Sequence, residues 1–201
     1  MDIGTIIVVI LRLFVPFSIL RYPLAGFGAA WLLDVFDVPL AAIISPDNIA
    51  FGHGIYHGED ALTYNILDKW LDLYFLFFAF LVSLRWQNVL ARRTNIVLFW
   101  LRAAGVVLFS LTGYRYILFF FPNLIELFYP YYLITKRWLP RFSPDTLKKL
   151  VIILLILLIP KLINEYIVHV LEFELIETLN HFTPLETQAD SVLDWLRGLF
   201  R

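Results

Sequence analysis

Hydrophobic residues in this chain run in long stretches broken by short polar clusters, without the alternation at every second position that a half-buried strand requires. Stretches near 3–20, 22–37, 68–86, 95–112, 116–134 and 150–170 each have the ~17–25 residues that carry a helix across a ~30 Å hydrocarbon core. They predict an all-α, polytopic transmembrane helical bundle of about six spans over residues 1–183. Between the second and third stretches, Val38 to Leu67 contains Ser45-Pro46-Asp47-Asn48, Gly52, Gly54 and Gly58, and reads as a loop with short elements. Beyond Pro184, Val192, Trp195, Leu196 and Leu199 share one helical face opposite Asp190, Asp194 and Arg197. That pattern predicts an interfacial amphipathic C-terminal helix over 184–201, or a helix packed against the long loop.

Composition strengthens the membrane reading. The chain is 60% hydrophobic and 17% aromatic with only 16% charged residues, outside the range of soluble globular domains. The start, Met-Asp-Ile-Gly-Thr, has no basic n-region or small-residue cleavage site, so the first stretch is expected to remain as a span. With no Cys, disulfides, iron–sulfur clusters and thiol catalysis are excluded, and any metal must be held by oxygen or imidazole. There is no P-loop, G-x-S-x-G, H-E-x-x-H or haem-attachment motif, and no nucleic-acid role is implied.

Charge sets the expected orientation. With six spans, Arg21, Arg85, Arg92, Arg93, Lys136, Arg137, Arg141, Lys148 and Lys149 fall on one side, and only Lys69, Arg115, Arg197 and Arg201 on the other. The positive-inside rule makes the first side cytoplasmic and places both termini and the Asp-rich loop on the non-cytoplasmic side. Arg92-Arg93 and Lys148-Lys149 would then touch anionic lipid headgroups.

Arg12, Arg102 and Lys161 fall near the middle of their spans, where an insertion scale charges ~2.5–3.5 kcal/mol for each. Glu126 is an available partner, and Lys161, Glu165 and His169 share a stripe at i, i+4 and i+8. Two readings stay open for these groups. They are ion pairs that fix helix packing, or, with Arg115, they line a polar cavity for a phosphate-containing ligand.

Asp34 and Asp37, three apart, end the second span, and Asp68 and Asp72, four apart, begin the third, so each pair shares a helical face. Four converging carboxylates repel one another unless protons or a divalent cation neutralise them, and oxygen-only ligands favour Mg²⁺, Mn²⁺ or Ca²⁺. The alternative is helix capping and interfacial solvation, with Asp68 as the N-cap of the third span.

The set Asp34-x-x-Asp37 with Asp68-x-x-x-Asp72, together with Arg12 and Pro16, resembles the CDP-alcohol phosphotransferase family over roughly the first 90 residues. That resemblance implies a six-span enzyme in which Asp34, Asp37 and Asp68 ligate Mg²⁺ or Mn²⁺, while Asp72 is both ligand and catalytic base. It further implies an in-line displacement on a phosphate-containing lipid. Val38, Ala42 and Tyr64 replace the family's Gly, Arg and Gly, so the carboxylate skeleton comes without the nucleotide grip. Similar carboxylate pairs occur in intramembrane prenyltransferases, where they hold Mg²⁺-diphosphate.

Three functions are therefore expected alternatives: a metal-dependent phosphotransferase-like membrane enzyme; an ion-coupled carrier using Glu126, Lys161, Glu165 and His169; and a non-catalytic membrane subunit, oligomeric or not. His53 and His57 add a weaker metal-binding candidate in the loop.

Overall fold

The computed structural model describes residues 3–37, 40, 44 and 59–169, and among them every regular element is helical. Helix α1 (Ile3–Phe14) passes through a 3₁₀ turn, Val15–Phe17, into the short α2 (Ser18–Arg21). Pro16 causes the change of pitch, because it lacks the N–H that would bond the Arg12 carbonyl. Tyr22, preceding a proline, leaves helical space at φ −128° and ψ 76°, and Pro23 opens α3 (Pro23–Val35). The chain therefore folds back as a hairpin. A Cβ on Gly26 would lie 2.6 Å from the Ile19 amide nitrogen, so the two arms approach at a distance only glycine permits.

Helix α4 (Glu59–Ser83) leads by a tight connection to α5 (Val89–Thr112), which is capped by the Asn88 side chain accepting from Ala91 N at 3.0 Å. Gly113, at φ 74°, supplies the left-handed residue that ends it. The chain then dips back through α6 (Ile117–Phe120), breaks at Phe121–Leu124, and continues as α7 (Ile125–Trp138). A 3₁₀ turn, Pro140–Phe142, connects to α8 (Leu147–His169).

The described residues of all six hydrophobic stretches are mostly helical. Two segments, Val89–Thr112 and Ile117–Trp138, are long and apolar enough to cross a membrane. The others depart from the simple pattern for visible reasons. The first is interrupted by Pro16, α3 has 13 residues, and α4 carries Asp68, Lys69 and Asp72 in its interior. The expectation of a loop as far as Leu67 is corrected, since helix begins at Glu59. The segment 184–201, expected to be amphipathic, and His53 and His57 lie outside the described residues.

The α1–α2 arm runs beside α4 in the same direction: Tyr74 OH donates to Leu13 O at 3.0 Å, and the Phe17 and Phe78 rings sit 4.9 Å apart. At the centre, Phe27 of α3 meets Phe75 of α4 at 5.6 Å and Tyr129 of α7 at 4.8 Å. Trp86, between α4 and α5, lies 4.0 Å from Tyr132 and fills the space below. The outer faces are apolar as well, with Val97, Trp100 and Leu111 exposed on α5 and Leu155, Ile156 and Ile159 exposed on α8. Helices with apolar outer faces are found both across membranes and buried inside larger assemblies.

Candidate functional site: a carboxylate quartet around Arg12

The hairpin lays Arg12 of α1 against the last turn of α3 and the third and fourth turns of α4. There the guanidinium meets all four aspartates. Nη1 donates to Asp37 Oδ2 at 2.5 Å and to Asp68 Oδ1 at 2.8 Å; Nη2 donates to Asp72 Oδ1 at 2.8 Å and to Asp34 Oδ1. A planar fork of five N–H donors suits this bridging in a way that an ammonium does not. Lys69 adds a second cation, donating to Asp68 Oδ2 at 2.8 Å and Asp72 Oδ2 at 3.2 Å. Arg12, Asp37 and Asp72 are buried, and Asp34 and Asp68 partly so.

The four aspartates thus converge, but their immediate counter-charges are Arg12 and Lys69, not only the protons or cation expected from sequence. Asp68 lies well inside α4 and does not cap it. Both Asp72 oxygens already accept from cations, so Asp72 could take a proton only after one of those contacts loosens. Asp34, Asp68 and Asp72 could hold a metal ion: each offers one carboxylate oxygen within 4.8 Å of the others. An all-oxygen set fits Mg²⁺ or Mn²⁺. Asp37 stands outside this triad. Arg12 and Asp34 of the quartet also line a cleft with Pro16, Ala30, Leu33, Leu71 and Phe75.

A second polar group centres on Glu126, in the first turn of α7. It accepts from Lys161 Nζ at 2.7 Å, from Asn123 Nδ2 at 3.0 Å and from the Trp31 indole N–H. Trp31 is three residues before Asp34, so α3 touches both groups from one face. Arg102, buried in α5, donates through Nη1 to Phe121 O at 3.1 Å. That carbonyl is released where the helix breaks before Pro122, and a backbone carbonyl freed among packed helices needs such a donor. Arg102 also acts electrostatically on Lys69 and Asp72 and so borders the quartet.

Of the other residues expected to bind phosphate, Arg115 lies half-buried in the turn after Gly113, and no described hydrogen bond or ion pair brings it to the quartet. The backbone of Glu165 and His169 continues α8, while their side chains lie outside the described ones.

Sequence reasoning missed three participants. Lys69 carried a signal, lying between Asp68 and Asp72 at spacings that reach both on a helix. Asn123 lies three residues before Glu126. Nothing local marked Trp31, whose partner is 95 residues away. The chain matches no family model, no curated protein and no solved structure.

Proposed function

We propose that this chain is a multi-pass integral membrane protein of about six spans whose aspartate quartet takes a divalent cation, Mg²⁺ or Mn²⁺, in phosphotransferase-like chemistry on a phosphate- or diphosphate-containing lipid. The convergence of Asp34, Asp68 and Asp72 from two helices carries this reading, because burying that much negative charge without a ligand serves packing poorly. Apolar outer faces support placement in lipid. The cation would supply Lewis-acid polarisation of a phosphoryl oxygen. Asp34, Asp68 and Asp72 would hold it, Arg12 would keep the helix ends together, and Lys69 and Arg102 would balance the charge of an incoming phosphate.

A second reading, a charge-locked non-catalytic subunit, is favoured by one observation: Arg12 and Lys69 already close the quartet. A carrier finds less support, since its polar path would have to run through the bundle, whereas the described buried charges gather in two ion-paired groups, Arg12 and Lys69 with the quartet and Lys161 with Glu126.

Calorimetry of Mn²⁺ with the detergent-purified full chain tests the choice. Saturable binding to wild type, lost in Asp34→Asn and Asp68→Asn, supports the metal site and justifies assays with lipid phosphates and diphosphates. No binding to wild type overturns it and leaves the charge-locked subunit.

A further inference from the structure

The connection between α4 and α5 and the one between α7 and α8 are held together at one end of the bundle. Asn88 Nδ2 donates to Pro144 O at 3.3 Å, and Tyr131 OH donates to Phe142 O at 2.7 Å. Trp86, from the first connection, packs on Tyr132 at 4.0 Å under the second. This clamp gathers onto one surface cations that are far apart in sequence: Arg85, Arg92 and Arg93 from one side, Arg137, Arg141 and Lys148 from the other. Apart from Arg92, which is partly buried, these six are exposed. Asp145 is the one acidic residue among the described residues of the two connections, and Lys149 lies 3.9 Å from it.

Large apolar side chains are interleaved with the cations. Trp138, Leu139, Phe142 and Leu147 are all exposed, and the Arg137 guanidinium lies over the Trp138 ring at 5.0 Å. A free-phosphate site in water needs no such side chains. A headgroup region, with phosphate above glycerol and acyl chains, matches both components at once: guanidinium forks for the phosphodiester, aromatic rings for the layer beneath.

We propose that this clamped end is a docking surface for anionic phospholipid headgroups, binding them in preference to zwitterionic ones. The inference rests on the membrane reading but not on the metal site, which lies about 16 Å away along α4.

The test uses the full chain purified in detergent. Its thermal unfolding is followed with added phosphatidylglycerol, phosphatidylcholine or inorganic phosphate, in wild type and in a variant carrying Arg85→Gln, Arg93→Gln, Arg141→Gln and Lys148→Gln, all exposed. The expected result is stabilisation by phosphatidylglycerol at about tenfold lower concentration than phosphatidylcholine, reduced to near parity in the variant. On wild type alone, about 1 M salt should remove the preference, which covers the case of a variant that does not fold. Equal effects of the two lipids on wild type overturn the proposal, as does an equal response to inorganic phosphate. Failure of the membrane reading would look different: the chain would leave membranes on alkaline carbonate washing and stay dispersed without detergent.

Discussion

Arg12 Nη2 lies 2.8 Å from Asp72 Oδ1, joining α1 to α4 across 60 residues at a point where α3 also delivers two carboxylates. Removing the guanidinium takes away a cation that all four buried or half-buried carboxylates contact. Arg12→Leu is expected to lower stability by about 3–5 kcal/mol, the usual penalty for orphaning a buried charge group. Arg12→Lys should lose less, because it keeps the charge and forfeits only the fork. Thermal unfolding in detergent checks the order. An Arg12→Leu protein as stable as wild type would show that the quartet is not held by its arginine.

The same experiment with Mn²⁺ separates the two functional readings. A divalent cation can take over the neutralising role of Arg12, so on the metal-site reading the Arg12→Leu protein should regain much of its lost stability when Mn²⁺ is added. Asp34→Asn and Asp68→Asn on that background should abolish the recovery, and Ca²⁺ should be a poorer rescuer if the site is small. No recovery at saturating Mn²⁺ would favour the charge-locked subunit.

Lys161 and Glu126 make the second prediction about packing. Their 2.7 Å pair links α8 to α7, and the Glu126 carboxylate also accepts from Trp31 and Asn123. Lys161→Met or Glu126→Gln alone should cost about 3 kcal/mol, whereas the double variant should lose less than the sum by about 1–3 kcal/mol. Additive losses in a double-mutant cycle would mean that the two groups do not depend on each other.

Much of this architecture could be read from residue order. Helical segments follow the hydrophobic stretches because outward-facing and core-facing positions are both apolar, which leaves a strong signal in one dimension. The pairing of Asp34 with Asp37 and of Asp68 with Asp72 was legible for the same reason, being set by helical periodicity. What escaped was the identity of the counter-charge. Arg12 reaches the quartet only because Pro16 and Tyr22 turn α1 back along α3, and no local spacing encodes that hairpin angle. The break at Phe121–Leu124 escaped too. Its polypeptide is apolar enough to continue a span, and only Pro122 with a buried arginine on another helix hints that a carbonyl needs a donor.

That break yields the final prediction, which pits two glycines against each other. Gly105 of α5 faces it so closely that an added Cβ would lie 2.4 Å from the Phe121 Cβ, a distance no side-chain rotation relieves. Gly105→Ala must therefore push Phe121 away, and with it the carbonyl that Arg102 satisfies at 3.1 Å. The expected loss is about 1–3 kcal/mol, as for overpacking elsewhere. Gly28, in α3, has nothing within 4 Å of its added Cβ. Gly28→Ala should stabilise the protein by about 0.5–1 kcal/mol through helix propensity alone. Opposite shifts in thermal unfolding for the same chemical change would locate tight packing at the helix break. Two equal shifts, of either sign, would mean that α5 and Phe121 are not in contact.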